Sequence, residues 1–147
     1  MKKILLLSTG GTIACSQGDN GLAPSLTPES LLNYAKEIQD ICHIDTMQIL
    51  NIDSTNMHPE YWIHITEYIE SNYDNYDGFV ITHGTDTMAY TAAALFYMVQ
   101  NSSKPIVITG AQRPITFKET DAKRNLVDSI MFACNGILFN HESPVRG

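Results

Sequence analysis

Four short segments of the sequence gather small polar side chains around sharp turns: Ser8-Thr9-Gly10-Gly11-Thr12, Asp53-Ser54-Thr55-Asn56, His83-Gly84-Thr85-Asp86-Thr87 and Gly110-Ala111-Gln112-Arg113-Pro114. Thr12 offers a hydroxyl nucleophile, yet no basic side chain neighbours it in sequence, so its activation has to come from elsewhere in the fold. Thr85 and Asp86 add a second hydroxyl and a carboxylate, the latter suited to a cationic ammonium group on a small ligand. Glycine in three of the four segments lets a ligand approach the backbone closely. Taken singly, these residues are also what ordinary turns and caps use, and Asp86 reads equally well as a helix N-cap. Gly10-Gly11 lacks the GxxxxGK spacing and its lysine, and no G-x-G-x-x-G run exists, which disfavours a phosphate cradle and a dinucleotide fold. His43, His58, His64, His83 and His141 have no metal-ligand spacing, and no metal or cofactor is called for. His83 is expected to be structural, its ring bonded in the turn that follows its strand, with the other histidines on the surface.

These segments can cooperate only if the fold brings them to one edge. Stretches rich in β-branched and aliphatic residues alternate with stretches of helical period in the order β-α-β-α-β-α-β-α-β, the signature of an α/β domain with a largely parallel sheet flanked by helices. The predicted strands are Lys2 to Ser8, Met47 to Ile52, Gly78 to Thr82, Pro105 to Thr109, and a fifth that starts at Ile137-Leu138-Phe139. The predicted helices run from Thr27-Pro28-Glu29 through Ile38, from Pro59 with Tyr61, Ile65, Tyr68 and Ile69 as its apolar stripe, from about Thr87 to Val99, and from Glu119 to Ala133. Met88, Leu95, Met98 and Val99 are expected to face the core. Each polar segment then follows the carboxyl end of a strand, where ligands of open parallel sheets collect.

Composition narrows the partners. The chain has 147 residues, 44% of them hydrophobic, which fits one core and one domain over residues 1–147. Nine Lys and Arg against 16 Asp and Glu leave a net charge of -7, so nothing supplies the positive surface that nucleic acid needs. The apolar run Ile4 to Leu7 is far short of the roughly 20 residues that span a bilayer and of the about 7 to 15 of a signal core. Cys15, Cys42 and Cys134, odd in number and widely spaced, point to reduced thiols in a cytoplasm rather than a disulfide framework.

Thr9-Gly10-Gly11-Thr12-Ile13-Ala14, the Asp53-Ser54 turn with Met57 after it, His83-Gly84-Thr85-Asp86-Thr87-Met88-Ala89-Tyr90-Thr91 and Thr109-Gly110-Ala111-Gln112-Arg113-Pro114 resemble, in order, the motifs of the bacterial L-asparaginase family. The likeness runs from residue 1 to about residue 138, and Tyr76-Asp77-Gly78-Phe79-Val80 is similar to the cytoplasmic, type I branch. The resemblance implies an amidohydrolase that releases ammonia from the side-chain amide of L-asparagine through a threonine nucleophile and an acyl-enzyme; L-glutamine stays open as a second substrate. Thr12 then matches the nucleophile, and Thr85 the second threonine, which in the family works with a lysine. Ser54 matches the residue that binds the substrate α-carboxylate and Asp86 the one that holds the α-amino group. Asp53, Gly11 and Gly84 line the substrate site, with Ala111 as a wall of the amide pocket. Backbone amides at the Thr12 and Thr85 turns are the implied oxyanion donors.

The sequence departs from that pattern twice. Many members carry a Gly-Tyr-x-Pro segment whose tyrosine helps deprotonate the nucleophile; here it reads Gly21-Leu22-Ala23-Pro24, and Leu22 cannot take a proton. The glycine and serine content of Cys15 to Pro24 still fits a mobile lid. Family members also continue into a Gly-Thr-Arg segment, the lysine, and a second α/β domain, whereas Ile137 to Gly147 does not match. The expectation is an N-terminal domain without its C-terminal partner: a fragment, a truncated product, or a domain kept for another use. Little turnover is expected from this chain alone. The alternatives are a silent domain binding asparagine or aspartate and a fold that serves only in assembly. Exposed apolar surface where the second domain would dock makes a homo-oligomer the expectation.

Overall fold

The computed structural model describes residues 1–19 and 21–135. Four parallel strands form its sheet in the order β4-β1-β5-β6, where β1 is Lys3–Gly10, β4 His43–Ile52, β5 Gly78–Thr82 and β6 Ile106–Thr109. Between β1 and β4 lie an antiparallel hairpin of β2 (Cys15–Gly18) and β3 (Gly21–Pro24), then α1 (Pro28–Leu32). Helices α2 (Pro59–Asn72), α3 (Met88–Met98) and α4 (Ala122–Asn135) follow β4, β5 and β6. The α/β architecture read from the sequence is therefore present, and the fifth strand at Ile137–Phe139 falls outside the described residues.

The alternation of side chains along β1 explains the layers. Ile4 and Leu6 point to one face, where they pack with Val80, Leu31, Ile38, Leu126 and Ile130 under α1 and α4. Leu5 and Leu7 point to the other, against Phe79, Ile81, Ile65, Ile69 and Leu95 under α2 and α3. A strand covered on both faces must be apolar throughout, which is why β1 and β5 read as continuous runs.

Three predicted elements need correction. The helix expected to run to Ile38 stops at Leu32; Thr27 caps its start, accepting the Ser30 N–H at 3.2 Å, but Ala35 leaves helical geometry (φ −129, ψ 46) and a 3₁₀ turn at Lys36–Ile38 follows. That break delivers Ile38 and Cys42 to the core just before β4. β4 in turn begins four residues before Met47, because His43 to Thr46, polar apart from Ile44, are held by the ladder to Lys3–Leu6 and by Lys3 Nζ on Asp45 at 2.8 Å. The last helix opens at Ala122, not Glu119: Thr120 Oγ1 accepts the Ala122 N–H at 3.0 Å and closes the turn ahead of it.

On α3, Leu95 is buried, Met88 and Val99 are half-buried, and Met98, 36% exposed, meets the buried Thr66 hydroxyl of α2 through its sulfur at 3.9 Å, whereas Tyr90, Phe96 and Tyr97 lie on an outer face, 67%, 76% and 71% exposed. The helix carries no charge. Its hydrophobicity masks which side faces the core, since nearly every position would suit burial. Tyr61, Trp62, Tyr68, Tyr73 and Tyr76 are half-buried, and His43, His58 and His64 are exposed, as expected. No helix among the described residues is long and apolar enough to cross a membrane.

Candidate active site

The chain leaves β1 toward β4 on one side and leaves β5 toward β6 on the other, so the strand order reverses between β1 and β5. That reversal opens a crevice at the carboxyl ends of the two strands. The segments that flank it are Gly11-Thr12 and Gly84-Thr85.

β1 ends on Gly10 and Gly11 follows it, with φ of 100° and 77°. Only glycine adopts such angles freely, and both are also pressed against neighbours: a Cβ on Gly10 would sit 2.6 Å from the Ile52 carbonyl oxygen, and one on Gly11 2.6 Å from the Gly84 Cα. The Gly11 N–H is bonded to Ile52 O at 3.1 Å. A 3₁₀ turn at Thr12–Ala14 follows, with Ile13 and Ala14 buried as anchors and Thr12 half-buried at the rim. Cys15 reaches back to Gly11 O at 3.4 Å; burial, then the nearby Asp53 carboxylate, push its thiol pKa up.

β5 delivers the second segment. The His83 N–H extends the β5–β6 ladder to Thr109 O at 2.8 Å, and the buried ring bonds Gly84 O through Nδ1 at 2.7 Å and Thr91 Oγ1 through Nε2 at 2.8 Å. Burial holds its pKa below the ordinary value, opposed by the Gly84 carbonyl. The structural role read for His83 is thus what the geometry gives it. Thr85 is half-buried and Asp86 exposed in the turn before α3. Asp86 does not cap that helix: the N-cap position is Thr87, whose hydroxyl instead donates to Ser54 O at 2.8 Å.

That bond ties the third segment to the second. Ser54 is buried at the start of a 3₁₀ turn, Ser54–Asn56, which Asp53 caps by accepting the Thr55 N–H at 2.9 Å and the Thr55 hydroxyl at 2.8 Å. These two bonds pull the Asp53 carboxyl pKa down. Ser54 Oγ abuts Gly84, where a Cβ would come within 2.5 Å of it.

The fourth segment closes the group. A Cβ on Gly110 would lie 2.5 Å from His83 O and 3.3 Å from the Thr85 methyl, and Ala111 behind it is buried. The loop is fixed from α4: Asp121 accepts the Gln112 and Arg113 N–H groups at 3.0 and 3.2 Å, and Asn125 Nδ2 donates to Gly110 O at 2.9 Å. Arg113 faces Glu119 at 3.7 Å.

The structure therefore seats Gly11, Ser54, Gly84 and the Gly110 turn against one another, with Thr12 and Thr85 on the adjoining segments and Asp53 and Asp86 outward on the rim. Sequence reading missed the braces Asp121, Asn125, Thr87 and the Trp62–Thr91 pair. Thr87 and Thr91 stood inside the His83–Thr91 motif without a bracing role, and the signal for the other two was spacing: Asp121 and Asn125 stand one helical turn apart at the start of a helix that follows a glycine loop. Where glycine and serine suggested a mobile lid, Cys15–Gly18 and Gly21–Pro24 pair as strands, with Leu22 half exposed at 51%. The site is an open edge, and a separate groove of about 400 Å³ between α3 and β6 is lined by other residues. Among the described residues no three His, Cys, Asp or Glu side chains converge as a metal cluster would require.

Comparison with known proteins gives this arrangement its lineage. The family model "Asparaginase, N-terminal" matches residues 3–143. An L-asparaginase of Thermococcus kodakarensis is 44% identical over 91% of this chain, and L-asparaginase 1 of Escherichia coli 40% identical over 91%. A glutamyl-tRNA(Gln) amidotransferase component from Methanococcus vannielii is 44% identical over 93%. The solved structure of the thermostable T. kodakarensis L-asparaginase superposes with a TM-score of 0.84 at 45% identity over 91% of the chain, and that of a probable cytoplasmic L-asparaginase from Campylobacter jejuni with 0.80 at 36% over 92%. This chain spans about 41% of the two L-asparaginases, 33% of the amidotransferase component, and 41% and 40% of the two solved chains. With the strand order, the glycine contacts and these matches in agreement, the chain belongs to the asparaginase family, as its N-terminal domain.

Proposed function

We propose that this domain carries the threonine-bearing part of an amidohydrolase site for L-asparagine. Thr12 Oγ attacks the side-chain amide carbon, its proton passes to the departing nitrogen, ammonia leaves, and water then cleaves the acyl-threonine ester to give L-aspartate. Ser54 takes the substrate α-carboxylate, Asp86 the α-ammonium group, and Ala111 walls the amide pocket. Thr85 serves as the second hydroxyl of the site, Asp53 shapes the Ser54 turn, and Gly11 and Gly84 leave room at its floor.

The observation that carries this reading is the mutual contact of Gly11, Gly84 and Ser54 at the point where the strand order reverses. Leu22 argues that the chain by itself turns over slowly, since it provides no proton acceptor on the hairpin. The same feature favours a second reading, a domain that binds asparagine or aspartate without cleaving it. Ammonia release from the purified chain, set beside an L-aspartate titration of its backbone amides, separates them. Binding with a kcat below the usual about 1 to 1000 per second supports a slow site. Binding with no ammonia at all selects the silent binder, and absence of binding overturns both. The site of action is the cytoplasm, and the uncharged outer face of α3 supports self-association of the chain.

A further inference from the structure

Thr85 has a backbone N–H with no hydrogen-bond partner among the described residues. It belongs to the Gly84–Thr85 peptide, whose carbonyl oxygen is the atom bonded by His83 Nδ1 at 2.7 Å. The bond is trans, no cis peptide being present among the described residues. In a trans peptide the C=O and N–H point in opposite directions. Pinning the carbonyl to a buried ring therefore aims the N–H away from that ring, on the side of the peptide opposite to His83.

The ring can do this because its protonation pattern is dictated from both ends. A carbonyl oxygen only accepts, so Nδ1 must carry the proton; in the neutral ring Nε2 is then an acceptor and takes the Thr91 hydroxyl proton at 2.8 Å. Thr91 Oγ1 in turn accepts from Trp62 Nε1, which only donates, at 2.9 Å. The line Trp62, Thr91, His83, Gly84 thus runs from α2 through α3 to the end of β5 with every donor facing an acceptor.

We infer that His83 is a positioning residue for the site: held as the Nδ1–H tautomer by Thr91 and Trp62, it fixes the direction of the Thr85 N–H so that it can donate to an oxygen of the bound side-chain carbonyl or carboxylate. Its use in catalysis rests on the amidohydrolase reading above. The orientation itself does not.

Backbone N–H residual dipolar couplings of the weakly aligned, nitrogen-15-labelled chain read that direction without ligand, and imidazole nitrogen shifts read the tautomer. His83→Asn keeps an N–H near the Nδ1 position and is expected to preserve the Thr85 coupling; His83→Gln and Thr91→Val are expected to change it, Thr91→Val also admitting the other tautomer. L-Aspartate affinity is expected to fall about tenfold in His83→Gln, as for one lost hydrogen bond to a charged group, and by less than threefold in His83→Asn. A Thr85 coupling unchanged in both His83→Gln and Thr91→Val overturns the inference. If His83→Gln does not fold, Thr91→Val and Trp62→Phe decide it by the same couplings. If the wild-type chain binds no aspartate while the couplings respond as expected, the amidohydrolase reading fails and the positioning stands.

Discussion

Gly11 and Gly84 meet backbone to backbone: a Cβ built on Gly11 would lie 2.6 Å from the Gly84 Cα, and Gly84 has Ser54 on its own open side. Gly11→Ala meets this contact and a φ of 77° together, at an expected cost of about 1 to 3 kcal/mol, read as a shift in urea midpoint. Gly84→Ala, with ordinary backbone angles but Ser54 Oγ in the way, is expected to damage ligand binding at least as much as stability. Equal aspartate affinity in Gly84→Ala and wild type would show that this contact lies outside the binding site.

Asp86 is exposed and free of a capping duty, so its replacement tests recognition with little structural confusion. Asp86→Ala is expected to weaken L-aspartate by about ten- to a hundredfold, the loss of a charge-assisted bond, with an unchanged thermal midpoint. Thr12→Val should retain binding within a few-fold while abolishing ammonia release. Calorimetric titration and an ammonia assay on the same samples report both.

Leu22 stands half exposed on β3, where the family resemblance expects a tyrosine. Leu22→Tyr restores a group able to accept a proton, and an increase in ammonia release of about a hundredfold, within the range for a positioned acid or base, is the expected outcome. A rate that does not rise would place the limitation elsewhere than the hairpin.

The Gln112 N–H, then the Arg113 N–H and Asn125, hold the Asp121 carboxyl below its usual range, burial opposing them only in part. A depressed folded pKa contributes stability that is present above the unfolded value of about 3.9 and lost as pH falls through the folded one. The 110–113 loop should therefore loosen below about pH 4. Its amide exchange should quicken there, and in Asp121→Ala it should be fast already at neutral pH with little further change on acidification.

All three cysteines are buried free thiols. Burial, reinforced by the neighbouring Cys134, pushes Cys42 up to about 12, and burial also raises Cys15. A thiol-specific reagent at pH 8 is expected to label the folded chain slowly and at a rate set by unfolding, and the denatured chain at once. Rapid labelling of Cys42 or Cys134 in native protein would mean that the α4 face opens far more readily than its packing indicates.

How much of this was legible beforehand depended on whether a residue's role was local. β1 and β5 announce themselves because a strand buried on both faces has to be apolar, and Pro28 and Pro59 mark helix starts by their missing N–H. Gly10 and Gly11 stood out as turn glycines in the first polar segment, and their φ of 100° and 77° is what glycine adopts without strain. The β2–β3 hairpin was not, since Cys-Ser-Gln-Gly and Gly-Leu-Ala-Pro show neither alternation nor β-branching. The break at Ala35 and the early start of β4 depend on what Ile38 and His43 to Thr46 meet in three dimensions. Asp121, Asn125 and Trp62 were invisible as site residues because each serves through a partner 9, 15 or 29 positions away.

Where Gly11 meets Gly84 the floor of the crevice is main chain pressed on main chain, and such a surface has no rotamers to freeze. A ligand arriving there loses only its own freedom and that of a few peripheral hydroxyls and carboxylates. Exchange of those outer groups can retune what is admitted while the platform beneath them stays as it is.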